Sequence, residues 1–127
     1  MGDTHVAVLV VDDQEPFRKA ARTLLSRTGD FELVGEAASG EEALELATSL
    51  RPELVLMDIN MPGMNGVEAT RRLLESLPDA VVLLCSTYSA ADLPPGAATC
   101  GAQAYVDKGE LAPEVLTQVW ASRNGSR

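Results

Sequence analysis

The chain has 127 residues, 46% of them apolar and 23% charged, and a net charge of −9. These are the proportions of one ordinary globular domain, large enough to bury a core without disulfides or a structural metal. The negative balance argues against these residues alone holding nucleic acid or an anionic membrane through the surface field, and no apolar run approaches the roughly 18 residues of a membrane span.

Strand and helix signals alternate along the chain. Val6–Val11 is a continuous β-branched-rich run, as in a strand buried on both faces. Pro16 suits a first helical turn, and Phe17, Ala20, Ala21, Leu24 and Leu25 then recur on one helical face. "FELVGEA" reads as a second strand. "SGEEALELATSL" follows as a helix, with Ser39 and Glu42 spaced as a capping box and Ala43, Leu46, Ala47 and Leu50 facing inward. Leu54–Met57 forms a third strand ending on Asp58, and "NMPGMNG" is turn chemistry with Pro-Gly and Asn-Gly pairs. A helix from about Val67 to Leu77 buries Val67, Leu73, Leu74 and Leu77. Ala80–Cys85 is a fourth strand and Ala104–Val106 a short fifth. The last helix begins near Pro113 with Ala112, Val115, Leu116 and Val119 on one face, and Ser122 to Arg127 form a polar tail beyond a domain of residues 1–121. Between the fourth and fifth strands, "SAADLPPGAATCGA" holds a proline pair that no helix can run through. A loop and then a short helix from about Pro95 to Cys100 are expected there. Cys85 and Cys100 read as small buried hydrophobes in a reducing compartment. The whole is an α/β fold, a doubly wound five-stranded parallel sheet with a shortened or irregular fourth helix.

Ligands in open α/β sheets bind at the carboxyl ends of the strands. Just past those ends stand Asp12 and Asp13, Asp58, Ser86 and Thr87, and Asp107 and Lys108. Three carboxylates in one crevice raise each other's pKa unless a counter-ion is present. Mg²⁺ answers this, since it favours one or two carboxylates, retained waters and phosphate oxygens. A carboxylate can also attack phosphorus and become an aspartyl phosphate. In that chemistry a metal, an ammonium and a hydroxyl take up the charge of the transferring group. Asp58, at the end of the central strand, is the expected nucleophile, with Asp12 and Asp13 on the metal. Any one acidic residue at a strand end is an ordinary turn former; it is the set that carries the inference.

"VLVVDDQ", "LVLMDINMPGMNG", "LLCSTY" and "GAQAYVDKG" together resemble a response-regulator receiver domain of the NarL/LuxR type, the phosphoaccepting half of two-component signalling, over residues 5 to 121. The resemblance implies a flavodoxin-like fold, (βα)5. It also implies an acidic pocket of Asp12, Asp13 and Asp58, with the Asn60 backbone carbonyl as a further Mg²⁺ ligand. Lys108 would be the lysine of the pocket, taking oxygens of the phosphoryl group. Alignment on Tyr88 selects Ser86 over Thr87 as the switch hydroxyl, and the spacing to the lysine (108 − 86 = 22) agrees. Tyr105 matches the switch aromatic. The implied donor is a sensor histidine kinase or phosphotransfer protein. The implied output is a surface of the fourth helix, fifth strand and fifth helix, acting on an effector protein or on a DNA-binding domain not present in these residues. A homodimer is a further assembly the resemblance allows. No direct contact with nucleic acid or membrane is expected, and the location is cytoplasmic. The domain would catalyse only its own phosphorylation and dephosphorylation.

The chain departs from the pattern in three places. Gly109 follows Lys108 where many relatives carry a cis proline, so a more mobile loop is expected. Thr87 stands where a small residue is common, which is expected to slow access to the phosphoryl group. The Leu-Pro-Pro-Gly stretch interrupts the fourth helix. Tyr88 is a candidate shield of the phosphoryl group. His5 lies at the far end of the first strand and reads as a solvent-side residue, while Trp120 either packs at the core's edge or joins a dimer surface. Two other readings compete. A small aspartyl-phosphate phosphatase would need a carboxylate where Asn60 stands, and a cap. A degenerate receiver acting as a phosphorylation-independent scaffold would not need a complete pocket.

Overall fold

The computed structural model describes residues 5–87 and 93–123. Five parallel strands form one sheet in the order β2-β1-β3-β4-β5. They are β1 (Val6–Val11), β2 (Phe31–Ala37), β3 (Leu54–Asp58), β4 (Val81–Ser86) and β5 (Ala104–Asp107). Among the described residues the helices are α1 (Glu15–Ser26), α2 (Gly40–Leu50), α3 (Gly66–Ser76) and α4 (Pro113–Ala121), with one 3-10 turn at Lys108–Glu110. Both faces of the sheet are covered, which is why β1, β3 and β4 are apolar without interruption. Leu9, Val11, Val55, Met57, Val82 and Leu84 pack against α2 and α3. Their alternates Val8, Val10, Leu54, Leu56, Leu83 and Cys85 pack against α1 and α4 through Ala21, Leu25, Leu116 and Val119.

The helix starts are set by local chemistry. The Ser39 Oγ accepts from the Glu42 amide at 3.0 Å, and the Glu42 carboxylate accepts from the Ala38 amide at 2.8 Å, closing the box at the head of α2. The Asn65-Gly66 pair is not a turn of its own. Asn65 caps α3, its Oδ1 accepting from the Glu68 amide at 2.9 Å, and Gly66 is needed for close approach. A Cβ there would lie 2.1 Å from the Asp58 carbonyl oxygen. The left-handed position of this loop is Gly63, with φ of 76°.

Two expectations for helix faces are corrected: Ala20 is exposed, and Leu50 is 36% exposed, lying over the Cβ-less Gly35. The short helix expected from about Pro95 to Cys100 does not form. Residues 95–99 are consecutive turns, closed by Ala97 N–H to Pro94 O and Thr99 N–H to Gly96 O. Gly96 has φ of 89° and Gly101 of 101°, backbone states that cannot continue a right-handed helix. The fourth helical position is therefore irregular, and Tyr88 lies outside the described residues. Both cysteines are buried and free, on opposite faces of the sheet. His5 is exposed, and Trp120 packs at the edge of the α1/α4 core with the Arg123 guanidinium 4.2 Å from its ring.

Candidate functional site

The strand register assembles the pocket. Val11 pairs with Met57, so Asp12 and Asp58 emerge side by side from β1 and β3. Asp58 pairs with Cys85, and Ser86 with Asp107, which brings the ends of β4 and β5 to the same rim. β1 and β3 are neighbours although β2 separates them in sequence, so the crevice lies where the strand order reverses. There, one carboxylate oxygen from each of Asp12, Asp13 and Asp58 lies within 4.8 Å of the others. Asp12 is fully buried, Asp58 is 4% exposed, and Asp13 faces solvent.

Backbone and α1 side chains hold this cluster. The Asp12 Oδ1 accepts from the Gln14 amide at 2.9 Å, and the Asp12 carbonyl accepts from the Arg18 guanidinium at 2.7 Å. Arg18 is itself held by Glu36 of β2, 3.3 Å away. The Lys108 Nζ reaches in from the opposite side, 2.6 Å from Asp12 Oδ2 and 3.4 Å from Asp58 Oδ1. The same ammonium sits 4.6 Å from the centroid of the Phe17 ring. Asp107 Oδ1 accepts from the Gly109 amide at 2.8 Å, fastening the turn that carries the lysine. Among the described residues every peptide bond is trans, that before Gly109 included.

Burial, and next the charge of Asp12, push the Asp58 carboxyl up to about 6; Lys108 and the Asn60 amide pull the other way without cancelling this. Burial disfavours charge on Lys108 too. The contact with Asp12 and the negative charge of both carboxylates outweigh it, and the lysine pKa lies above its ordinary value. Below the pocket, burial pushes the Cys85 thiol up to about 12, so it is an inert core group. Three carboxylates against one ammonium leave two negative charges in a cramped, half-buried site. An all-oxygen cluster with that surplus fits a hard divalent cation.

Asp12, Asp13, Asp58 and Lys108 are thus brought together as the sequence predicts. Asn60 is exposed two residues beyond Asp58, its amide 3.4 Å from Asp58 Oδ1. Ser86 is buried at the end of β4 while Thr87 is exposed. Tyr105 is half-buried on β5, opposite Leu84, and packs on the α2/α3 side. Sequence reasoning missed Phe17 and Arg18 as pocket neighbours, since one falls on the apolar stripe of α1 and the other among its charged residues.

The model of the response regulator receiver domain family matches residues 8–120. The chain belongs to that family. This receiver is 38% identical over 121 residues to the response regulator GacA of Pseudomonas aeruginosa, covering 93% of the chain and 56% of that protein. Among solved structures it is similar to a LuxR-family two-component response regulator from Aurantimonas sp., at 31% identity and a TM-score of 0.83, over 97% of this chain and 88% of the other. The response regulator domain of Thermotoga maritima CheB aligns at 30% identity and a TM-score of 0.81, over 97% and 99% of the two chains. These likenesses bear out the flavodoxin-like fold and the NarL/LuxR type. The receiver spans about half the length of the curated relatives it matches. Among the described residues no helix is long and apolar enough to cross a membrane.

Proposed function

We propose that this receiver is a phosphorylation switch in which Asp58 is the phosphoacceptor. The observation that carries the proposal is the cluster of three carboxylates at the β1/β3 crevice with Lys108 directed into it. Asp12, Asp13, Asp58 and the Asn60 carbonyl would hold Mg²⁺, which when bound supplies positive charge against the oxygens of a transferring phosphoryl group.

The donor is the phosphohistidine of a sensor histidine kinase or a phosphotransfer protein. An Asp58 carboxylate oxygen attacks phosphorus; the new P–O bond forms as the P–N bond breaks, and the imidazole leaves with the electron pair and takes a proton. Hydrolysis reverses the state: water attacks phosphorus, the P–O bond to Asp58 breaks, and inorganic phosphate departs. Lys108 neutralises the added negative charge, and Ser86, buried at the end of β4, donates its hydroxyl to a phosphoryl oxygen. Movement of Ser86 is coupled to Tyr105, and the two shift a two-state equilibrium of the surface formed by the irregular 95–99 segment, β5 and α4. The domain catalyses only its own phosphorylation and dephosphorylation. Under this proposal it works in the cytoplasm, residues 1–121 form the receiver and 122–127 a tail. Its output goes to an effector protein or a DNA-binding domain outside these residues, with homodimerisation as one means of transmission.

The test is intact mass after incubation with Mg²⁺ and a small-molecule phosphodonor, beside Asp58→Asn. A gain of one phosphoryl group by the wild type alone is the expected result. No gain, together with no Mg²⁺ binding by calorimetry, would instead fit a phosphorylation-independent scaffold.

A further inference from the structure

Lys108 is a flexible four-carbon stem, and the turn that carries it is fastened through its backbone, by the Asp107 side chain on the Gly109 amide and by the Leu111 amide on the Lys108 carbonyl. Something must fix the far end. Two of its contacts, Asp12 and Asp58, are oxygens that the proposed chemistry itself engages. A third, among the described residues, is the Phe17 ring on the first turns of α1, with Nζ 4.6 Å from its centroid, inside the roughly 6 Å range of a cation–π contact. Only 12% of the lysine side chain is exposed, so the contact is largely shielded from water.

We propose that Phe17 is a positioning residue for Lys108, holding the ammonium beside Asp58 through the face of its ring. This rests on the reading of Asp58 as phosphoacceptor. The ring is suited to the task because it attracts the cation without neutralising it and without occupying its N–H donors. An ammonium has three donors, and those not spent on Asp12 and Asp58 remain for an incoming anion. A carboxylate in the place of Phe17 would compete with that anion. Phosphorylation turns the Asp58 carboxylate into an acyl phosphate and moves the negative charge onto the phosphoryl oxygens, so the lysine must change partner, whereas the ring contact is unaffected by it. Phe17 also packs against the α1/α4 side of the core, and that second role, filling space, is one an aliphatic side chain performs equally well.

The experiment separates the two roles. Phenylalanines carrying one, two and three ring fluorines are placed at position 17 only; fluorination keeps size and hydrophobicity while draining the ring face of negative potential. Phe17→Leu keeps apolar volume and removes the ring. The first readout, in the metal-free protein, is the hydrogen-exchange rate of the Lys108 ammonium by NMR. The second is the rate of phosphorylation by a small-molecule donor with Mg²⁺, with Asp58→Asn as the blank.

Positioning predicts a graded rise in ammonium exchange and a graded fall in phosphorylation rate, reaching about three- to tenfold in the trifluoro and Phe17→Leu proteins. Exchange and phosphorylation that stay flat across the series would overturn the inference and leave Phe17 as packing alone. A wild type that takes no phosphoryl group from donor or kinase would instead sink the phosphoacceptor reading, and the exchange series would still decide whether the ring holds the lysine.

Discussion

Asp58 sits where its own charge is disfavoured. Its carboxyl is raised from 3.8 to about 6 in the folded protein, first by burial and then by Asp12. Without a divalent cation the folded state therefore binds more protons than the unfolded state between those values, so this group's contribution to stability falls as pH rises through that window. A bound metal reverses the preference, because only the ionised carboxylate can ligate. The thermal stabilisation produced by Mg²⁺ should be small near pH 5 and reach its full size above about pH 7, as read by melting with and without the ion. A shift of the same size at both ends of the range would mean that Asp58 is not a ligand. Arg18 acts one step further out: its guanidinium fixes the Asp12 carbonyl and is anchored in turn by Glu36. Removing an outer partner of a metal ligand, the role proposed for Asp12, costs about tenfold or more in affinity. Arg18→Ala is expected to weaken Mg²⁺ binding by about that factor in a calorimetric titration, and unchanged affinity would show that the loop holds itself.

At the scale of the element, the tightest constraint is the start of α3. The Gly66 amide donates to the Ile59 carbonyl at 2.8 Å, and its α-carbon rests against the Asp58 peptide with no room for a Cβ. Gly66→Ala must displace backbone at Asp58 itself, so a destabilisation of about 2 kcal/mol or more is expected in urea unfolding. A loss within about 0.5 kcal/mol would show that the loop yields freely. The cap of α2 is a milder case: Ser39→Ala removes the acceptor of the Glu42 amide and is expected to cost about 1 kcal/mol in the same assay.

These elements also show what the sequence can convey. The Ser39/Glu42 spacing encodes its cap directly, because both partners lie within one turn. Asn65-Gly66 carries an equally clear local signal but with the wrong meaning, since the glycine answers to Asp58, eight residues away, and not to its own backbone angles. The proline pair correctly announced an irregular segment, yet the positive φ of Gly96 that keeps it from becoming a helix is not written in the pattern.

At the scale of the molecule, function follows from register. The pocket residues stand at the ends of different strands, Asp12 and Asp13 just past β1, Asp58 closing β3, Ser86 closing β4 and Lys108 just past β5. A parallel sheet in which Val11 pairs with Met57 and Ser86 with Asp107 brings those ends onto one rim. Asp12, Asp13, Asp58 and Lys108 were legible for that reason: continuous apolar runs mark doubly buried strands, and the polar residue that ends each run marks the rim. Phe17 was not legible, because a ring on the buried stripe of α1 looks the same whether it meets an aliphatic neighbour or an ammonium. Its partner arrives from β5, on a different strand end, and only the fold joins them.

The central claim is that Asp58 carries the phosphoryl group, and one measurement addresses it at the level of the bond. After incubation with Mg²⁺ and phosphodonor, borohydride reduces an acyl phosphate to the alcohol but leaves a free carboxylate untouched, and peptide mass mapping then locates the converted residue. Conversion of Asp58 to homoserine, dependent on both Mg²⁺ and donor, is the predicted result. Conversion at Asp12 or Asp13 instead, or none in a protein whose mass shows a phosphoryl group attached, would contradict the account.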